Sequence, residues 1–115
     1  MLSVMKKSNI FAYIELSKLV EELKPVLSSE ELKDKLRAQS AYFNIIQPKY
    51  FSDALVQEWE GILNLTKQKG ARVDEEGKVV STAISNTIEN FSPMECRKLA
   101  DKVFLLYEKV KMEFQ

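Results

Sequence analysis

Histidine is absent from this chain, and that one omission removes most of the acid–base chemistry open to a small protein near neutral pH. There is no imidazole general base, no Ser-His-Asp or Cys-His nucleophilic pair, and no histidine metal ligand. Cys96 is the single cysteine, so an intrachain disulfide and a cysteine-rich zinc site are both excluded. Its spacing to Leu99 and Val103 places it on an apolar helical stripe, where a thiol is more often a small buried hydrophobe than a nucleophile.

Carboxylates are the next candidates. Helical bundles that hold two metals set acidic side chains three or four residues apart on inward faces. Glu21-Glu22, Glu30-Glu31 and Glu58-Trp59-Glu60 are spaced differently, and one member of each pair points away from the other's face. Asp74-Glu75-Glu76 lacks the alternating ligand order of a calcium loop and reads as a solvated turn. No glycine-rich phosphate loop is present. The sequence therefore predicts no catalytic residue, no metal and no cofactor, and it points away from an enzyme.

What remains is binding. Tyr42, Phe43, Tyr50, Phe51 and Trp59 crowd one short region. Two readings fit them: a bulky core corner where helices turn, or a partner pocket in which Tyr42, Tyr50 and Trp59 make contact, since aromatics are enriched in interface hot spots. Base stacking would require a basic groove around them, and only Lys49 is near in sequence. A second feature is Phe104-Leu105, which interrupts the charged side of the last helix. Either that helix is packed on more than one side, or Phe104 and Leu105 join a surface patch covered by another chain.

These residues need elements to hold them. At 45% hydrophobic and 30% charged the composition is that of a globular chain, and 115 residues suit one domain, residues 1–115. Three glycines and three prolines are too few for an all-β fold. The prediction is an all-α bundle of four to five helices. Ile10, Phe11, Ile14, Leu19, Val20 and Leu23 predict a first helix from Ser8 or Asn9 to about Lys24, ended by Pro25. Ser28 with Glu31 forms a capping box, with Leu27 and Leu32 as its staple. That box opens a second helix predicted to run to about Ile46. Gln39 falls on its apolar stripe, either at the edge reaching solvent or buried with partners for its amide. The next helix is predicted from Ser52 or Asp53, with Phe51 and Val56 as staple, to a cap at Gly70. Gly61 lies inside it at a cost of about 1 kcal/mol against Ala, which predicts a close helix crossing beside Trp59.

Residues 71–80 fit two patterns: a short β-hairpin around Asp74–Gly77, or the start of a helix capped by Asp74. Val80, Ile84, Ile88 and Phe91 then predict a helix from about Lys78 or Ser81. Ser92 and Glu95 form the clearest capping box, with Pro93 at the first helical position and Phe91 and Cys96 as the staple. Cys96, Leu99, Val103, Leu106 and Val110 are the inner stripe of the long helix that follows.

Lysine plus arginine equals aspartate plus glutamate, so the formal net charge is zero. A general nucleic-acid binder usually carries a basic excess, which makes nucleic acid an unfavoured partner. Met1–Lys7 lacks the order of a signal peptide, and no apolar run approaches a bilayer span, so the expectation is a cytoplasmic protein without a membrane partner. The function expected from all this is protein–protein contact, as an adaptor or a self-associating homodimer, with Phe104, Leu105, Tyr42, Tyr50 and Trp59 as candidate contacts. One alternative is an immunity or mobile-element accessory protein that neutralises a single protein. Another is a helix-turn-helix DNA-binding regulator with Ser81–Phe91 and Pro93–Phe114 as its helix pair. Against the latter, Met94, Glu95 and Cys96 stand where base-reading side chains belong.

Overall fold

The computed structural model describes residues 7–26 and 28–114. Six α-helices appear among them: α1 Lys7–Leu23, α2 Ser29–Ala38, α3 Tyr42–Ile45, α4 Val56–Thr66, α5 Ala83–Glu89 and α6 Pro93–Met112. A 3-10 turn, Pro48–Tyr50, precedes α4. Two short strands, β1 Arg72–Val73 and β2 Val79–Ser81, pair antiparallel between α4 and α5. The all-α prediction holds: six helices are described where four to five were expected, and the hairpin allowed for near residues 71–80 is present. Among the described residues no helix is long and apolar enough to cross a membrane.

α6 is the organising element. Its capping box is complete: Ser92 Oγ accepts the Glu95 amide at 3.1 Å, and Glu95 Oε1 accepts the Ser92 amide at 2.9 Å. Two amides of the first turn are thereby satisfied without intrahelical partners. The predicted stripe is buried throughout, from Cys96 through Leu99, Val103 and Leu106 to Val110. It packs against α1, α2 and α4. All buried apolar residues join one continuous core. At the far end Tyr13 of α1 stacks on Phe114 and Tyr107, with ring centres 4.9 and 6.0 Å apart.

Three boundaries differ from expectation, each for a physical reason. The second helix does not run to Ile46 but stops at Ala38, and α3 starts afresh at Tyr42. A continuous helix would carry Gln39 into the core between Leu36 and Phe43. The break makes Gln39 a half-exposed C-cap instead, while Phe43 still reaches the interior. Ser28 makes the forward half of its predicted box, accepting the Glu31 amide at 3.2 Å. Its staple partner Leu27 lies outside the described residues.

The helix predicted from Ser52 or Asp53 begins later, at Val56, with no side-chain cap. Ser52 Oγ donates instead to Glu113 Oε2 at 2.6 Å, tying this loop to the end of α6. Gly70 does take a left-handed conformation (φ 68°), but beyond the actual C-cap at Lys67. There it turns the chain toward the hairpin. Asn86 Nδ2 donates to the Gly70 carbonyl at 3.0 Å, and Thr87 Oγ1 accepts the Lys69 amide at 3.0 Å. α5 thus clamps the exit of α4.

Between the two readings of residues 71–80 the hairpin is the one formed. Asp74 closes its loop rather than capping a helix: its Oδ1 accepts the Glu76 and Lys78 amides, both at 2.9 Å. Gly77 supplies the positive φ of 83° that the turn requires. The cap of α5 is Thr82, whose hydroxyl accepts the Ser85 amide at 3.1 Å.

Candidate functional site

The two apolar features singled out in the sequence separate once folded. Trp59 on α4 is fully buried. It lies between Phe43 and Phe51, with ring centres 5.9 and 5.3 Å away, and its Nε1 donates to the Ile46 carbonyl at 2.7 Å. Every polar and apolar part of the indole is used internally, so the aromatic region is the core-corner alternative. Trp59 offers nothing to a partner. Tyr42 and Tyr50 are half-buried against the same core. Tyr50 sits 4.7 Å from the Phe11 ring, and its carbonyl accepts Asn9 Nδ2 at 3.0 Å, so it pins the loop before α4 to α1.

Phe104 and Leu105 divide in the same way. Phe104 is half-buried against the core, as expected of a helix packed on several sides. Leu105 is 57% exposed and lines a groove of about 550 Å³ between α4 and α6. The two helices run antiparallel there. Glu58 at the start of α4 meets Lys109 near the end of α6, Oε1 to Nζ 2.6 Å. Gly61, Ile62 and Leu65 form the α4 side, facing Leu105 and Lys102 of α6. A second hollow of about 250 Å³ shares Leu65 and Lys102 and continues past Leu99 toward Glu95, Lys98 and Gln68. The two form one trough along the helix pair.

Gly61 keeps the trough open. No helix crosses close to it: a Cβ built there meets no atom within 4 Å. The tight crossing predicted beside Trp59 is therefore not formed, because Trp59 points to the opposite side of α4. On this helix Trp59, Ile62, Leu63 and Thr66 face inward. Glu58, Gly61 and Leu65, one position removed, face the trough. Leu65 escaped the sequence reading because it lies outside the inner stripe. Its spacing of four from Gly61, on a helix whose inner face was already full, was the available signal.

The chemistry of the trough is limited to packing and charge. Its ionic groups are Lys98, Lys102 and Lys109 against Glu58 and Glu95. Hydrogen bonds from the Ser92 amide and hydroxyl hold the Glu95 carboxyl below the ordinary glutamate range, assisted by Lys69 and Lys98. Cys96 lies behind the surface at 0% exposure, and burial pushes its thiol above the usual cysteine range, so it is held as the neutral thiol. Glu31 and Asp34 do stand three residues apart on α2, a spacing fit for a metal pair, but both side chains are exposed. Among the described residues no cluster of three cysteine, aspartate or glutamate side chains is gathered for a metal. No protein-family model, curated protein or solved structure matches the chain.

Proposed function

We propose that this chain is a non-enzymatic protein-interaction module of the cytoplasm and that it docks its partner in the α4–α6 trough. The observation that carries the reading is Leu105, a large apolar side chain 57% exposed above a floor of Gly61, Ile62 and Leu65. A leucine more than half exposed beside an unfilled apolar floor forgoes a part of the burial energy, which for a whole side chain of this size is about 1.5–3 kcal/mol. A partner that covers it recovers that energy. Contiguous apolar concavities rimmed by charge are where such partners bind.

The helix-turn-helix alternative draws no support from the position of α6. A recognition helix must present its outer face to the major groove. α6 is wrapped by α1, α2 and α4, and its exposed first turn carries Met94 and Glu95. Of the residues predicted to bind, Leu105 is retained as the contact, while Phe104 is half-buried against the core.

Affinity capture from the source lysate after nuclease treatment, with tagged wild-type and Leu105→Glu proteins compared by mass spectrometry, tests the reading. The expected outcome is a stoichiometric protein, or a second copy of the chain, recovered by the wild type and lost by the variant. A partner retained in full by Leu105→Glu would remove the trough from consideration. Wild-type protein recovered alone, as a monomer, would remove the interaction module itself.

A further inference from the structure

The trough also specifies the chemistry of its occupant, an inference that rests on the docking reading above. Consider first its backbone. The amides of α4 and α6 are spent on their own helices, so the walls offer no edge to which an extended peptide could add as a strand. An occupant must arrive with its main chain already satisfied, and a helix does so. Between Glu95 and Lys109 the α6 side extends about 21 Å at the helical rise, enough to seat about fourteen residues of a second helix.

Charge then narrows the choice. Lys109 and Glu58 are paired with each other at 2.6 Å. Glu95 is turned back onto the Ser92 amide at 2.9 Å. Lys98 and Lys102 line the same end of the trough and make no ion pair among the described residues. The rim therefore runs from apolar at Leu105 to positive at Lys102 and Lys98. We propose that the trough binds an amphipathic helix of a protein partner whose apolar stripe covers Leu105 and Leu65 and whose flanking side chains are acidic, meeting Lys98 and Lys102.

A display library of randomised four-turn helices tests this directly. It is selected on the full chain, counter-selected on Leu105→Glu, and the survivors are titrated by fluorescence anisotropy against wild type and Lys98→Glu/Lys102→Glu. Circular dichroism first confirms that both variants are folded, as expected for changes at exposed positions. Survivors should carry an apolar stripe flanked by Asp or Glu and lose about tenfold or more in affinity to the double variant. Survivors that are neutral or basic would overturn the acidic partner while leaving the docking reading intact. A wild-type dimer dissolved by Leu105→Glu would also overturn it, because the occupant would then be a second copy. If no helix survived the counter-selection and the wild type stayed monomeric, the docking reading would fall with it.

Discussion

Helix α4 carries two apolar surfaces with opposite fates. On one side Trp59 is enclosed by Phe43 and Phe51 and hydrogen-bonded to the Ile46 carbonyl. On the other, Gly61 and Leu65 line an open trough shared with Leu105. The aromatic corner looks more like a binding site in sequence, since it is richer in the residue types that dominate interfaces. It is the closed one. Aromatic rings buried and satisfied on all sides stabilise the fold. The plainer surface, with one glycine and two leucines, is the open one.

The comparison can be broken most forcefully at the corner. Trp59→Ala should cost about 3–5 kcal/mol, the range for large aromatic truncations in a core, and it also leaves the Ile46 carbonyl without its donor. Against a total stability of about 5–15 kcal/mol this is a large fraction, and urea denaturation followed by tryptophan-independent circular dichroism would measure it. A loss below about 1 kcal/mol would mean the corner is not closed.

Two adjacent residues on α6 sharpen the contrast. Leu106 is fully buried and Leu105 is more than half exposed. Leu106→Ala should cost about 2–5 kcal/mol, whereas Leu105→Ser should stay within about 0.5 kcal/mol and show its effect in partner binding. The same denaturation series compares them. Equal losses would place Leu105 in the core and end the distinction.

Smaller effects are expected at the cap of α6 and at the trough floor. Ser92→Ala removes the side-chain half of the capping box and should lower stability by about 1 kcal/mol. The Glu95 half has a pH signature. Its carboxyl titrates below the ordinary glutamate value in the folded protein, so its contribution is present above the unfolded-state pKa and is lost as pH falls through the lowered one. Glu95→Gln should therefore flatten the acid-side slope of stability against pH, and an unchanged slope would show that other carboxylates set it. Gly61→Ala should raise stability by about 0.5–1 kcal/mol, because the added methyl meets no atom within 4 Å. A destabilised variant, read from its thermal midpoint, would mean that a close contact exists over the trough after all.

Helix identity was legible because its signals are short-range. The Ser92 box and the stripe from Cys96 to Val110 act within one or two turns, and both formed as read. Where a local signal met a competing tertiary contact it failed. Ser52 has the chemistry of an N-cap, yet its hydroxyl is taken by Glu113, 61 residues away in the chain. The predicted second helix broke at Gln39 because continuing would have carried an amide into the core.

By itself, then, the sequence determined the class of the fold, the caps at Ser28 and Ser92, the inner stripe of α6 and the exclusion of histidine chemistry, since each depends only on residue type and near neighbours. On α1 it put Ile10 and Ile14 on the apolar face, where the fold leaves both exposed and buries Ala12 and Leu16 instead. Tertiary structure alone decided which apolar face is closed. Periodicity puts Leu106 on the inner stripe and Leu105 on the charged side, but it does not say whether a further element covers Leu105. Whether each meets water depends on α4, whose Glu58 reaches α6 across 51 residues of chain to Lys109. Beside that pairing Gly61 faces the trough, and with no side chain there the trough stays open.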